Sequence, residues 1–124
     1  MVDFEVINSD ISTAGPYSLG IKAGNLLFIS GQVTTPEVRD IKGQTLAALE
    51  KIKKILEVVG ADVSNLVKVT IYLKNMSDFT EMNHAYKEFF EQNGVYEKFP
   101  ARSTVEALCP LPYGLIEIDA IAVL

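Results

Sequence analysis

The chain has 124 residues, 48% of them hydrophobic, a formal net charge of −5 and one cysteine, Cys109. That length suits a single domain, residues 1–124, able to bury its own core, and a lone cysteine cannot form an intrachain disulfide, which fits a reducing cytoplasm. The acidic balance argues against a nucleic-acid binder, which meets phosphates with Lys and Arg; the opening residues lack a secretion-signal pattern, and no apolar run nears the ~20 residues of a membrane-spanning helix.

Residues 3–7 alternate weakly and predict a short strand. Residues 17–22 and 26–30 flank Ala23-Gly24-Asn25, where Gly and Asn tolerate the positive φ of a tight hairpin. Leu26-Leu27-Phe28-Ile29 is apolar on both faces, as a central strand would be. Residues 34–40 carry Pro36 and charges and predict a loop, with Asp40 placed to cap a helix. Leu46, Leu49, Ile52, Leu56 and Val59 then form one helical stripe, and Gly60 stops it. The cationic cluster Lys51, Lys53 and Lys54 lies among Glu50 and Glu57 and reads as a solvated helix face.

Residues 66–74 alternate, with Val67, Val69, Ile71 and Leu73 on the apolar face. Ser77 or Asp78 can cap a second helix, and Asp78 with Glu81 has capping-box spacing. That helix would bury Phe79, Met82, Tyr86, Phe89 and Phe90 and end before Gly94. Residues 101–108 and 115–123 predict two last strands around a turn at Leu111-Pro112-Tyr113-Gly114. The order β, β, β, α, β, α, β, β predicts an α+β domain: a mixed six-stranded sheet with two helices on one face. Too little chain remains to cover the other face, which implies burial against further subunits.

Four places carry polar groups where packing alone would choose apolar ones. Glu117 interrupts the apolar run 115–124, on a face with Leu115, Asp119 and Ile121. A buried carboxylate is costly unless paired, so it marks a site, an ion pair or an exposed sheet surface. Arg102 opens a strand; its planar fork fits a small carboxylate ligand or a structural partner such as Glu117 or Asp119. Asn83 falls on the apolar face of the second helix, where its amide must be satisfied. Ser30-Gly31-Gln32 ends the apolar third strand, where a glycine lets the backbone approach a ligand or simply ends the strand. Other chemistries lack parts. His84 is the only histidine and sits on a polar helix side, which leaves a Ser-His-Asp triad or a zinc site little to build on. Cys109, between Leu108 and Pro110, reads as a structural thiol, and no P-loop or dinucleotide fingerprint is present.

These outliers fall into an ordered set: Gly15-Pro16-Tyr17-Ser18, Phe28-Ile29-Ser30-Gly31-Gln32, residues 73–79 leading to Asn83, Phe99-Pro100-Ala101-Arg102-Ser103-Thr104-Val105, and Ile116-Glu117-Ile118-Asp119-Ala120-Ile121-Ala122. In that order and spacing the chain resembles the RidA/YjgF family from end to end. The resemblance implies a chorismate-mutase-like fold and a homotrimer with clefts between subunits. It implies cofactor-free, metal-free hydrolysis of 2-enamino and 2-imino acids, such as 2-aminoacrylate and 2-iminobutanoate, to 2-keto acids and ammonia. By that resemblance Arg102 anchors the substrate carboxylate and Glu117 positions or activates water. The Gly31 N–H holds substrate, and Tyr17, Ser30, Asn83 and Thr104 line the cleft. Two departures stand out: residues 33–39 form a short loop with its proline displaced to Pro36, and residues 108–114 lack an arginine common in deaminase members. Other functions attached to such a fold are a non-catalytic carboxylate sensor or chaperone-like trimer, which needs only Arg102, and ribonuclease or translation inhibition, which the acidic charge disfavours.

Overall fold

The computed structural model describes residues 3–124. Strands β1 (Glu5–Ile7), β2 (Gly20–Ala23) and β3 (Leu26–Gln32) precede helix α1 (Ile41–Val58); β4 (Leu66–Leu73), α2 (Phe79–Gln92), β5 (Ala101–Glu106) and β6 (Ile116–Val123) follow. The strands form one mixed sheet in the order β1-β2-β3-β6-β4-β5, in which only the β4–β5 pair is parallel.

The hairpin is tighter than the sequence suggests. Ala23 pairs with Leu26, so Gly24-Asn25 is the whole turn, and Gly24 alone takes positive φ (61°), the pattern of a type II′ turn. Asp40 caps α1 as expected: its Oδ2 accepts the Gly43 N–H at 2.9 Å. Gly60, at φ 74°, follows the helix end. The core lies between the helices and one sheet face, with Leu49, Ile52, Leu56, Met82, Phe89 and Phe90 packed against Leu27, Ile29, Val69, Ile71, Ile116 and Ile118.

Among the described residues no helix covers the opposite face. Val6, Ile21, Phe28 and Ile121 follow one another across β1, β2, β3 and β6, with Val6 47% and Phe28 42% exposed. Apolar side chains in register across four strands are far from the isolated surface residues of ordinary proteins.

Several expected details change. Val67 is 44% exposed, not inward-facing. The β4–β6 register slips between Leu66 and Lys68, and this bulge turns Leu66 inward in place of Val67. Asp78 makes no capping bond; a short turn, Met76–Asp78, leads into α2 and leaves Asp78 helical (φ −85°, ψ 0°) instead of in the extended shape a cap needs. Phe79 sits on the exposed edge of α2, not in the core. Tyr17 and Ser18 precede β2 in a turn, where the Tyr17 N–H meets Gly15 O at 2.9 Å.

A buried glutamine ties the two unusual loops together. Gln44 Nε2 donates to Val38 O (3.0 Å) and Tyr113 O (2.9 Å), and its Oε1 accepts the Leu115 N–H (2.8 Å). Arg39 crosses the same junction, its guanidinium 4.7 Å from the Tyr113 ring centre. Gln44→Leu strands three backbone groups, so it should destabilise the fold by roughly 2 kcal/mol or more in urea unfolding; a smaller loss would mean the loops are held by other contacts.

Candidate functional site

The predicted site residues divide into two clusters on opposite sides of the sheet. The first is built by a bulge. Ile29 pairs with Ala120 and Gln32 with Ile118, so Ser30 and Gly31 together oppose one stretch of β6 around Asp119. The slip presses the Gly31 backbone against Glu117: a Cβ at Gly31 would fall on the carboxylate, with Cδ only 2.8 Å away. Ser30 fastens the preceding loop, its Oγ donating to Ser18 O at 2.6 Å and its N–H to Leu19 O at 2.9 Å. Tyr17 closes that loop by accepting the Ala14 N–H at 3.2 Å. Ala14, Tyr17, Ser30, Gly31, Glu117 and Pro110 line an open cleft of about 390 Å³.

Glu117 is half-buried and accepts no hydrogen bond from the described residues. Burial pushes its carboxyl above the usual carboxylate range, and the negative charge of Asp119 pushes it further the same way. A carboxylate short of donors in a cleft is a ready proton acceptor.

The second cluster lies where α2 crosses the β5 edge. Arg102 pairs with Val69 and Thr104 with Ile71, both core-facing, so Arg102 and Thr104 share the helix side of the sheet. Phe79, Asn83 and Tyr86 fall on one stripe of α2. Arg102 Nη2 donates to Asn83 Oδ1 at 2.6 Å. Its guanidinium stands 4.8 Å from the Tyr86 ring centre and 5.8 Å from that of Phe79. Among the described residues Arg102 has no other hydrogen bond and no carboxylate partner. The structural pairing with Glu117 or Asp119 that the sequence leaves open does not occur; both acids belong to the bare face, with Ile121. Asn83 spends its Oδ1 on fixing the guanidinium.

The sequence places Asp119 on the face of Glu117 but does not single out three contributors: the Tyr86 ring under Arg102, and Ala14 and Pro110 at the cleft. The first was readable in principle, since 79, 83 and 86 share a helix face. A second hollow, about 330 Å³ and lined by Ser64 and residues 94–98, shares no residue with either cluster. Among the described residues no His, Cys, Asp and Glu converge as a metal-ligand set, and no helix is long and apolar enough to cross a membrane. His84 is exposed on α2.

Fold and site thus define a small α+β protein with an acid-bearing cleft on one sheet face and an anion-ready arginine at the edge of the other. Residues 7–124 match the Endoribonuclease L-PSP family. A RutC family protein of Pyrococcus horikoshii is 50% identical over 115 aligned positions, covering 87% of this chain and 86% of its own. The 2-iminobutanoate/2-iminopropanoate deaminase of Escherichia coli is 40% identical, covering 88% of each chain. Among solved structures, the E. coli YjgF gene product superimposes with a TM-score of 0.88 at 36% identity, over 96% of this chain and 98% of that one. E. coli TdcF with bound serine gives 0.89 at 31% identity, over 97% and 98%. The chain belongs to this family, the RidA/YjgF proteins.

Two substitutions test the geometry. Gly31→Ala should fold with little loss, because the clash falls on the free end of a side chain, but a crystal structure should find Glu117 swung out of the cleft; an unmoved Glu117 would contradict the close approach. Tyr86 is 5% exposed and its hydroxyl has no partner among the described residues, while burial pushes its pKa up to about 12. Tyr86→Phe should therefore stabilise the fold by about 1 kcal/mol in urea unfolding; a loss of stability would reveal a partner for the hydroxyl.

Proposed function

We propose that the protein hydrolyses small 2-imino and 2-enamino acids to 2-keto acids and ammonia. The observation that carries this reading is the Arg102 guanidinium, held by Asn83 and Tyr86 and left without a protein carboxylate. A planar fork with free donors fits a substrate carboxylate in two parallel hydrogen bonds. The E. coli relative named as a 2-iminobutanoate/2-iminopropanoate deaminase supports the same class of substrate.

Because Arg102 and Glu117 lie on opposite sides of one sheet, a complete site takes Arg102, Asn83 and Thr104 from one subunit and Tyr17, Ser30, Gly31 and Glu117 from another. A homotrimer does this with one bare face against the next, and the exposed row Val6–Ile21–Phe28–Ile121 supports that assembly. In the cleft so formed, Arg102 anchors the carboxylate and the Gly31 N–H and the hydroxyls of Tyr17, Ser30 and Thr104 hold the remaining polar groups.

The chemistry needs no strong nucleophile. The water oxygen bonds to the imine carbon while Glu117 takes a proton from the water and delivers it to nitrogen. The carbinolamine then collapses: the C–N bond breaks, the hydroxyl proton passes through Glu117 to the departing amine, and ammonia and the 2-keto acid leave. Placement of water and a proton path supply the acceleration. Cleavage of RNA, named in the family's description, has less support here: the net charge is −5 and the one histidine, His84, lies outside the cleft.

A coupled assay tests the reading. A pyridoxal-phosphate dehydratase acting on serine or threonine generates the imine, and keto-acid release is followed with and without the protein. Acceleration is expected, and no acceleration would refute the function. Arg102→Ala loses two charge-assisted bonds of about 2 kcal/mol each, so kcat/KM should fall on the order of 1,000-fold or to the uncatalysed rate. Glu117→Gln should still bind a 2-keto acid in calorimetry but lose at least ~10-fold in turnover; full activity would remove Glu117 from the mechanism. Sedimentation should find a trimer at micromolar concentration, and a monomer would refute the shared cleft.

A further inference from the structure

Glu117 does not stand alone on its sheet face. Asp119 follows two residues on, on the same side of β6, roughly 7 Å along the strand. Tyr72 of β4 is the direct cross-strand partner of Glu117, yet its hydroxyl passes Glu117 by and donates to Asp119 Oδ2 at 2.9 Å. Neither Asp119 nor Tyr72 lines the cleft. Two carboxylates are thus set side by side, and the phenolic proton of Tyr72 goes to the carboxylate outside the cleft.

We propose that Asp119, fixed by Tyr72, is a positioning residue that keeps Glu117 a strong proton acceptor and so sets the pH range over which the cleft works. This rests on the reading of Glu117 as the base. The Tyr72 bond orients the Asp119 charge and keeps the phenol from hydrogen-bonding Glu117, which would weaken it as a base. A like charge at this distance disfavours ionisation of Glu117 and strengthens its hold on a proton. The same bond pushes the Tyr72 pKa up, so the phenol keeps its proton through the neutral range.

The other groups facing Glu117 are few. Lys68 lies on the outward side of β4 with its Nζ on Ser103 Oγ at 2.8 Å, and Lys74 is exposed just past the strand end. Tyr17 comes from the loop before β2, and β3 presents only Ser30 and Gly31. In the proposed trimer an Arg102 of a neighbouring copy completes the set, and it is common to every variant compared below.

The sign follows. A base must be ionised to accept a proton, so activity rises with pH through the Glu117 titration. Asp119→Asn keeps an acceptor for Tyr72 and removes the charge, so Glu117 should titrate at lower pH and the acid limb of the kcat/KM profile should move to lower pH with it. Tyr72→Phe keeps the charge, so the limb should not move down. The test is a carboxyl-carbon NMR titration of the whole protein without substrate. The Glu117 signal is identified by its loss in Glu117→Gln, and pH–rate profiles are recorded alongside. A midpoint that falls in Asp119→Asn and holds in Tyr72→Phe supports the proposal. A midpoint unmoved in Asp119→Asn, or falling equally in both, overturns it. If the wild type fails to accelerate imine hydrolysis, the proposed function fails, and the titration still decides whether Asp119 tunes Glu117.

Discussion

The site depends on one close approach: the Gly31 backbone against the Glu117 carboxylate. It requires a glycine, since any Cβ would occupy the space of the acid, and it requires the bulge that slips β3 against β6 between Ile29 and Gln32. The approach holds Glu117 at the cleft wall and excludes solvent from one side of it, the burial that raises its proton affinity. The same bulge carries Ser30, whose hydroxyl pins the loop that brings Tyr17 to the cleft.

Arg102 obeys a different constraint. Strand parity puts it on the helix side of β5, where Asn83 and Tyr86 hold it without neutralising it. A guanidinium fixed in place loses little freedom when it binds an anion, so its interaction energy goes into affinity and orientation. Because parity also puts Glu117 on the far side, Arg102 and Glu117 do not meet within one chain, and the apolar row Val6–Ile21–Phe28–Ile121 shares the face of Glu117.

Much of this was legible in the sequence. The helical stripe of α1, the Asp40 cap, the alternation of β6 and the polar outliers Arg102 and Glu117 all follow from local periodicity and the cost of burying charge. The misses come from non-local causes. Val67 faces outward because of a bulge that only the β4–β6 register reveals. Asp78 fails to cap because the chain arrives already helical. That Arg102 and Glu117 lie on opposite faces depends on how β5 and β6 each register on β4, which no single strand encodes. Gln44 was readable as a polar residue on a buried stripe, but its three backbone partners come from loops far apart in sequence.

The central claim, that each working cleft takes Arg102 from one subunit and Glu117 from another, is tested most directly by complementation. Arg102→Ala and Glu117→Gln chains, each impaired alone, are unfolded together and refolded as mixed assemblies. Random mixing in a cyclic trimer gives roughly one cleft in four an intact pair, and activity should return in that proportion. Mixed assemblies that form and stay as inactive as either parent would contradict the shared cleft.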